Sequence, residues 1–185
     1  MTEFRHVADR LARHAPRRIP RDGLREAAVL LPVYLRRGEP TILFTRRTDN
    51  LEHHRGEISF PGGARHAEDP DLLATALRET EEEMGIVRDD VTVLGRLDDF
   101  SSVHGYHVVP YVGTFPWPYD FRVNPAEIAE VIEVEVRRLR DPAIFHTEDW
   151  RHRGRTFPVP FFQVGRHQIW GLTAAILKQY LDLTA

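Results

Sequence analysis

Three glutamates, Glu79, Glu82 and Glu83, have the side-chain type and the spacing needed to bind a metal ion together. On a helix, positions i, i+3 and i+4 share one face, so these carboxylates would converge. Like charges at this spacing cost about 0.2–0.5 kcal/mol per pair, and the macrodipole opposes anions near a helix C-terminus. A solvated acidic face would explain a generic glutamate cluster. Three carboxylates in so unfavourable a position instead indicate a bound cation, and oxygen ligands favour Mg²⁺ or Mn²⁺.

The segment just before this helix has the composition of a ligand-binding loop. Ser59 and Phe60 are typical of a strand end, and Pro61-Gly62-Gly63 is typical of a turn. Glycines allow backbone amides and carbonyls to approach a ligand closely. A loop of this kind beside a carboxylate-rich helix can hold a cation together with the phosphates that the cation bridges. This context favours a cation site over a surface acidic patch.

An amphipathic helix from Asp69 to Met84 is predicted to position the glutamates. Asp69 is expected to be its N-cap, Pro70 suits the first turn, and Gly85 suits the position after the last turn. At about 100° per residue, one stripe of side chains should pack on the core. That stripe comprises Leu73, Leu77, Thr80 and Met84.

Together, these residues resemble the Nudix box, the signature of hydrolases that cleave nucleoside diphosphates linked to another group. The resemblance rests on Gly63, Asp69, Arg78-Glu79, Glu82-Glu83 and Gly85. Two departures occur at the loop end of the box: Asp69 stands in place of the first glutamate, and eight residues, not seven, separate it from Arg78. The half of the box that carries the metal is intact.

The resemblance implies a role for each residue of that half. Glu79 and Glu83, one turn apart, are expected to bind the metal, with Glu82 completing the cluster. The Gly62 carbonyl is a further expected ligand. Arg78 is expected to orient the carboxylates through charge-assisted hydrogen bonds. The group that takes a proton from the attacking water stays open between Glu82, Glu127 and a metal-bound hydroxide.

A second motif resembles the coenzyme A diphosphatase branch of the Nudix family. This motif runs from Leu43–Thr48 through Leu51, His54 and Gly56 to the Phe60–Gly63 segment. Two later segments, Glu127-Ile128 and residues 169–173, also resemble this branch. Arg47 and His54 are the expected substrate contacts, because arginine suits phosphate recognition. Glu127 could supply a late acidic ligand, although a glutamate at a helix start would also be explained by the macrodipole. Glu52 departs from the basic residue that is common in this motif.

Three functions follow from the two motifs. The leading interpretation is a metal-dependent enzyme that splits coenzyme A into 3′,5′-ADP and 4′-phosphopantetheine. The alternative within the family is hydrolysis of another nucleotide, such as ADP-ribose or a dinucleotide polyphosphate. A non-catalytic binding protein of the same fold is a third possibility, which the three glutamates disfavour.

Composition excludes several other classes of protein. The net charge of −3 and the pI near 6.4 do not favour a nucleic-acid partner. The absence of cysteine excludes disulfides and thiol chemistry. The sequence has neither an apolar signal segment nor a membrane-spanning run, so a cytoplasmic location is expected. We expect residues 1–185 to form one domain, in which residues 1–25 are an N-terminal helix and linker. The protein is expected to be a monomer or homodimer and to act on a small-molecule nucleotide.

Alternating and periodic apolar patterns predict the remaining elements. The predicted strands are Ala27–Leu35, Thr41–Arg47 after a Gly38-Glu39-Pro40 turn, Val91–Leu97, His107–Phe115, Glu130–Val136 and a Trp150–Phe162 hairpin around Arg153-Gly154. A last helix is predicted over Gly171–Leu183. Strands mixed with flanking helices predict an α/β/α sandwich with a mixed sheet, which is also the fold that the resemblance implies.

Overall fold

The computed structural model describes residues 3–21, 23–48, 56–152 and 154–185. Its helices are α1 (Arg5–Arg13), α2 (Leu72–Met84), α3 (Val136–Leu139) and α4 (Gly171–Leu183). Its strands are β1 (Arg25–Arg36), β2 (Glu39–Arg47), β3 (Ile58–Ser59), β4 (Gly62–Ala64), β5 (Thr92–Arg96), β6 (Phe100–Ser101), β7 (Tyr106–Thr114), β8 (Ile128–Glu135), β9 (Phe145–His152), β10 (Arg155–Val164) and β11 (His167–Trp170).

The β1–β2 hairpin is closed by a two-residue loop, Arg37-Gly38. Both residues have positive φ, 53° and 86°, as a type I′ turn requires. The strands pair antiparallel in the register Tyr34 to Thr41. The turn therefore comes earlier than the predicted Gly38-Glu39-Pro40 turn, because Glu39 and Pro40 already belong to β2.

Within the described ranges, eight strands form one mixed sheet. The order β3-β2-β1-β7-β5 is extended by β4 on β1, β6 on β7 and β8 on β2. β1 and β7 are parallel, whereas the other pairs are antiparallel. β9, β10 and β11 form a separate antiparallel sheet. The predicted mixed sheet is confirmed.

Successive residues of β1 point to opposite faces of the sheet, as the pleat requires. Leu30 packs with Leu72 and Ala76 of α2. Leu31 packs in the larger core, which includes residues of α1, α4 and the second sheet. Helices therefore cover both faces, and the predicted α/β/α sandwich is confirmed.

Helix α2 begins later than predicted. Asp71, not Asp69, is the N-cap, since its Oδ1 accepts from Ala74 N at 2.8 Å. Gly85 ends the helix in the left-handed conformation at φ 69°, as predicted. The buried face of α2 differs from the predicted stripe, because Leu73 and Leu77 are only half-buried. The buried residues of the helix are Leu72, Thr75, Ala76, Thr80, Glu83 and Met84.

The C-terminal elements follow the predicted pattern. The β9–β10 hairpin turns next to Gly154 and is longer than the predicted Trp150–Phe162 segment. Helix α4 has the predicted bounds, and Ile176, Leu177 and Tyr180 are buried on its inner face. Within the described ranges, no helix has both the length and the apolar character needed to span a membrane.

Candidate active site

Four parts of the fold meet at the carboxylates of α2. These are the end of β2, the loop and strand around Gly62, the second half of α2, and the turn that precedes β8. The contacts between them join Arg47 to Glu83 and Gly62 to Glu83. Because these segments are far apart in the chain, only folding brings them together.

Arg78 holds two of the predicted carboxylates. Its Nη1 donates to Glu79 Oε1 at 2.9 Å and to Glu82 Oε2 at 3.0 Å. Its Nη2 donates to the Ala64 carbonyl at 3.2 Å, which ties the helix to β4. One guanidinium thus holds two acidic side chains beside that strand.

Asp69 orients Arg78 from the other side. Asp69 Oδ1 accepts from Arg78 Nε and Oδ2 from Nη2, both at 3.0 Å. Oδ2 also accepts from His66 N at 3.0 Å and from Thr75 Oγ1 at 2.9 Å. The hydrogen bonds from Arg78 are the main reason why the pKa of Asp69 is held well below its usual range. Asp69 is therefore an anchor for Arg78, and not the predicted helix cap.

Glu83 is a carboxylate enclosed by protein. Its side chain is 3% exposed, and Oε2 accepts from Gly62 N at 3.2 Å. Burial raises its pKa to about 8, against the lowering effects of Gly62 and Arg47. A buried ionised carboxylate is costly without a counter-charge, so the ionised form of Glu83 favours a cation nearby.

Glu79 and Glu82 differ in environment although both contact Arg78. Burial raises the pKa of Glu79 despite its hydrogen bond to that arginine, and its side chain is 15% exposed. The Glu82 side chain is 55% exposed. Of the three predicted carboxylates, Glu79 and Glu83 face the protein, and Glu82 lies at the water-exposed edge of the site.

The predicted Pro61-Gly62-Gly63 turn is wrong, because Gly62 and Gly63 begin strand β4. Each of these glycines leaves room that a side chain would fill. A Cβ on Gly63 would lie 2.5 Å from the carboxylate carbon of Glu79. A Cβ on Gly62 would lie 2.4 Å from the Ala28 carbonyl oxygen, at a φ of 151°. A side chain at position 62 would clash with the backbone of the neighbouring strand β1, whereas the absence of a side chain at Gly63 leaves space for the Glu79 carboxylate.

Glu127 lies in a turn before β8, and not at a helix start as the sequence allowed. Its Oε1 accepts from Asn124 Nδ2 at 3.1 Å. The negative charge of Glu127 contributes to the raised pKa values of Glu79 and Glu83, so Glu127 lies near both. The helix-dipole explanation for this residue no longer applies.

Arg47 and His54 were predicted to contact substrate. Arg47 Nη1 lies 3.7 Å from Glu83 Oε1, which places this arginine at the carboxylate site. His54 lies outside the described residues.

The site has the donors that a hard divalent cation needs. Glu79, Glu83 and Glu127 offer oxygen ligands, and burial raises the pKa of both Glu79 and Glu83, so their ionised forms favour a counter-charge. In the described part of the chain, no three histidine, aspartate or glutamate side chains are already grouped as a metal cage. Two of the carboxylates are held elsewhere, Glu79 by Arg78 and Glu83 by Gly62. The carboxylates of Glu79 and Glu83 are suitable ligands for a divalent cation, provided that both side chains turn towards the cation when it binds.

Comparison with known proteins identifies the family. Residues 24–155 match the NUDIX domain family. The chain belongs to the Nudix family. A protein of Photorhabdus laumondii named "Uncharacterized Nudix hydrolase NudL" is 42% identical over 164 residues, covering 89% of this chain and 87% of the relative. A Yersinia pestis protein of the same name is 41% identical over 154 residues, covering 83% of this chain and 77% of the relative.

Solved structures share the Nudix fold. A C. elegans Ap4A hydrolase complex superposes with a TM-score of 0.52 at 19% identity, covering 63% of this chain and 83% of that chain. The M. smegmatis Nudix hydrolase RenU gives a TM-score of 0.53 at 22% identity, covering 64% of this chain and 75% of that chain. At these identities the similarity establishes the fold alone.

Sequence reasoning missed two residues of this Nudix site. The anchoring role of Asp69 was hidden because an aspartate before a helix is also a good cap; its position in the box was the available signal. Asn124 donates to Glu127, and its own N–H donates to the Glu83 carbonyl at 2.9 Å. No local pattern in the sequence pointed to Asn124.

Proposed function

We propose that this Nudix protein is a divalent-metal-dependent hydrolase of the diphosphate bond of coenzyme A. The observation that supports this proposal is the 3.7 Å approach of Arg47 to Glu83. Arg47 belongs to the motif that resembles the coenzyme A branch, and Glu83 belongs to the box. One residue of each motif therefore lies at the same site, which supports hydrolysis of this substrate.

Glu79 and Glu83 would hold Mg²⁺ or Mn²⁺, with Glu82 and the Gly62 carbonyl as further ligands. Such a cation, when bound, neutralises charge on the phosphoryl oxygens and lowers the pKa of bound water. Arg78 keeps Glu79 and Glu82 in place through its hydrogen bonds, and Asp69 keeps Arg78 in place.

Several roles stay open. The charge of Glu127 contributes to the raised pKa values of Glu79 and Glu83, and the Glu82 side chain is 55% exposed. Both stay candidates for the general base, together with metal-bound hydroxide. Arg47 and His54 stay candidates for substrate binding. A cytoplasmic location and a monomer or homodimer remain predictions.

The substrate can be tested by product analysis. Coenzyme A differs from ADP-ribose in its 3′-phosphate and its pantetheine arm. Purified protein with Mn²⁺ should give 3′,5′-ADP and 4′-phosphopantetheine, and kcat/KM should fall from coenzyme A to dephospho-coenzyme A to ADP-ribose. A dinucleotide polyphosphate completes the panel. Faster cleavage of ADP-ribose than of coenzyme A would contradict the proposal.

The alternative within the family is hydrolysis of another nucleoside diphosphate derivative, such as ADP-ribose or a dinucleotide polyphosphate. The presence of Glu52, where a basic residue is common in the coenzyme A motif, favours this alternative. A non-catalytic binding protein is disfavoured by the retained Glu79, Glu82 and Glu83. The same substrate panel separates these functions, because a binding protein would release no product from any member.

A further inference from the structure

Arg47 lies within ion-pair distance of the buried carboxylate of Glu83. The 3.7 Å between Arg47 Nη1 and Glu83 Oε1 exceeds hydrogen-bond length but allows charge attraction. The arginine side chain is 25% exposed and the glutamate side chain is 3% exposed. Since little water separates them, their attraction is screened less than at the surface. Arg47 is therefore a counter-ion for a carboxylate that would bind the cation.

The backbone directs Arg47 towards this site. Arg46 pairs with Glu130 but Arg47 pairs with Ile128, so β8 carries one extra residue at this point. Successive residues of a strand point to opposite faces, so Arg46 and Arg47 are directed to different sides of β2. Arg47 N donates to the Glu57 carbonyl at 3.0 Å, which holds the strand here. Arg46 instead pairs with Glu130, with Nε 3.5 Å from Oε2. Of these two neighbours, Arg47 is the one that contacts Glu83.

The Arg47 guanidinium retains capacity for another anion. A guanidinium carries five N–H donors. Among the residues that the structure describes, its buried Nε has no hydrogen-bond partner, although buried donors are normally paired. The loose contact with Glu83 and the unpaired donor leave room for further acceptors. Phosphate oxygens match the fork geometry of this group.

We propose that Arg47 is an exchangeable counter-ion: in the cation-free protein it pairs with Glu83 whenever that carboxyl is ionised, and it moves towards the substrate diphosphate when a divalent cation binds. This inference rests on the proposed function. A cation at Glu83 would repel the guanidinium of Arg47, because both are positive and would be close together. A bound diphosphate would then supply the anion that holds Arg47. Arg47 thus opposes binding of the cation alone and favours binding of the cation together with a diphosphate.

Calorimetric titration of the full chain with Mn²⁺, without nucleotide, tests the first half. Arg47→Ala should bind Mn²⁺ about tenfold more tightly than wild type, because a repulsive charge is lost. Arg47→Gln, which is neutral but polar, should show the same gain if Arg47→Ala folds poorly. Arg47→Lys keeps the charge and should restore wild-type affinity. Arg46→Ala, the matched control on the same strand, should also bind like wild type. Unchanged or weaker Mn²⁺ binding by both neutral variants would overturn the inference.

Titration with ADP at saturating Mn²⁺ tests the second half, with ADP as the diphosphate probe. The neutral Arg47 variants should bind ADP about tenfold more weakly than wild type, since a charge-assisted contact is lost. Equal ADP affinity would show that Arg47 does not move to the diphosphate.

Glu83→Gln separates this inference from the proposed function. Wild-type Mn²⁺ affinity in Glu83→Gln would mean that the metal-site assignment itself is wrong. Loss of Mn²⁺ binding in Glu83→Gln, with no effect of the neutral Arg47 variants, would remove the counter-ion role alone.

Discussion

Asp69 and Arg78, nine residues apart, form a two-point ion pair, with both N–O distances at 3.0 Å. The side chains are 6% and 14% exposed. With two guanidinium nitrogens committed to Asp69, Nη1 is directed at Glu79 and Glu82. The position of the acidic cluster therefore depends on a residue that need not touch metal or substrate.

Asp69→Asn should separate anchoring from metal binding. The neutral amide cannot accept both hydrogen bonds, and weakening a buried pair costs about 3 kcal/mol of unfolding free energy. Activity should also fall, because Arg78 and its carboxylates lose their orientation. Asp71→Asn is the matched control, since asparagine caps a helix as well as aspartate does. Chemical denaturation and turnover should show a loss for Asp69→Asn only; equal losses would contradict the anchoring role.

Glu83→Gln should abolish most activity and leave the fold intact. The substitution keeps the shape of the side chain and removes the charge that a cation needs. Turnover should fall by several orders of magnitude, because a metal contributes several kcal/mol of transition-state stabilisation. Glu81→Gln, on the same helix, pairs with Arg88 and should have little effect. If Glu83→Gln retains more than about a tenth of wild-type turnover, Glu83 is not a metal ligand.

Cation-free stability should depend on pH through Glu83. Its pKa rises from 4.5 to about 8 on folding, so over this range the folded state keeps a proton that the unfolded state has lost. The contribution of Glu83 to the free energy of unfolding must therefore decrease as pH rises from about 5 to about 8. Urea denaturation in EDTA should show this decrease as the difference between wild type and Glu83→Gln. A pH-independent difference would rule out the raised pKa.

Divalent cations should stabilise the folded protein. A ligand that binds only the folded state raises its melting temperature, and here it also offsets the repulsion between Glu79 and Glu83. Millimolar Mg²⁺ or Mn²⁺ should raise the melting temperature in a thermal scan. Na⁺ at matched ionic strength is the control for screening. An equal rise with Na⁺ would identify the cluster as a screened acidic patch.

Gly63→Ala should impair function more than folding. The added methyl group would meet the Glu79 carboxylate, the far end of a flexible side chain, so Glu79 can move at little structural cost. Activity and Mn²⁺ affinity should fall while the melting temperature changes little. Gly62→Ala is the contrasting variant, because its methyl group would meet backbone at a positive φ, and it should unfold at lower temperature. Wild-type Mn²⁺ binding by Gly63→Ala would argue against Glu79 as a ligand.

The sequence by itself determined most of the elements and the fold class. Helix α4 has the predicted bounds, Gly85 ends α2 as predicted, and the mixed sheet agrees with the alternating apolar pattern. These features depend on the local periodicity of apolar residues and on the conformations that glycine allows, and both can be predicted from the sequence without knowledge of tertiary contacts. The shared position of Glu79, Glu82 and Glu83 on α2 follows in the same way from helical geometry.

Only the tertiary structure decided how the carboxylates differ. Three similar glutamates become one buried, one partly buried and one exposed group because β4 packs against one side of α2. The choice of Asp71 over Asp69 as cap follows from the pairing of Asp69 with Arg78, and the meeting of Arg47 with Glu83 depends on the close approach of the end of β2 to α2. Each of these depends on contacts between distant segments, whose energies no local pattern specifies.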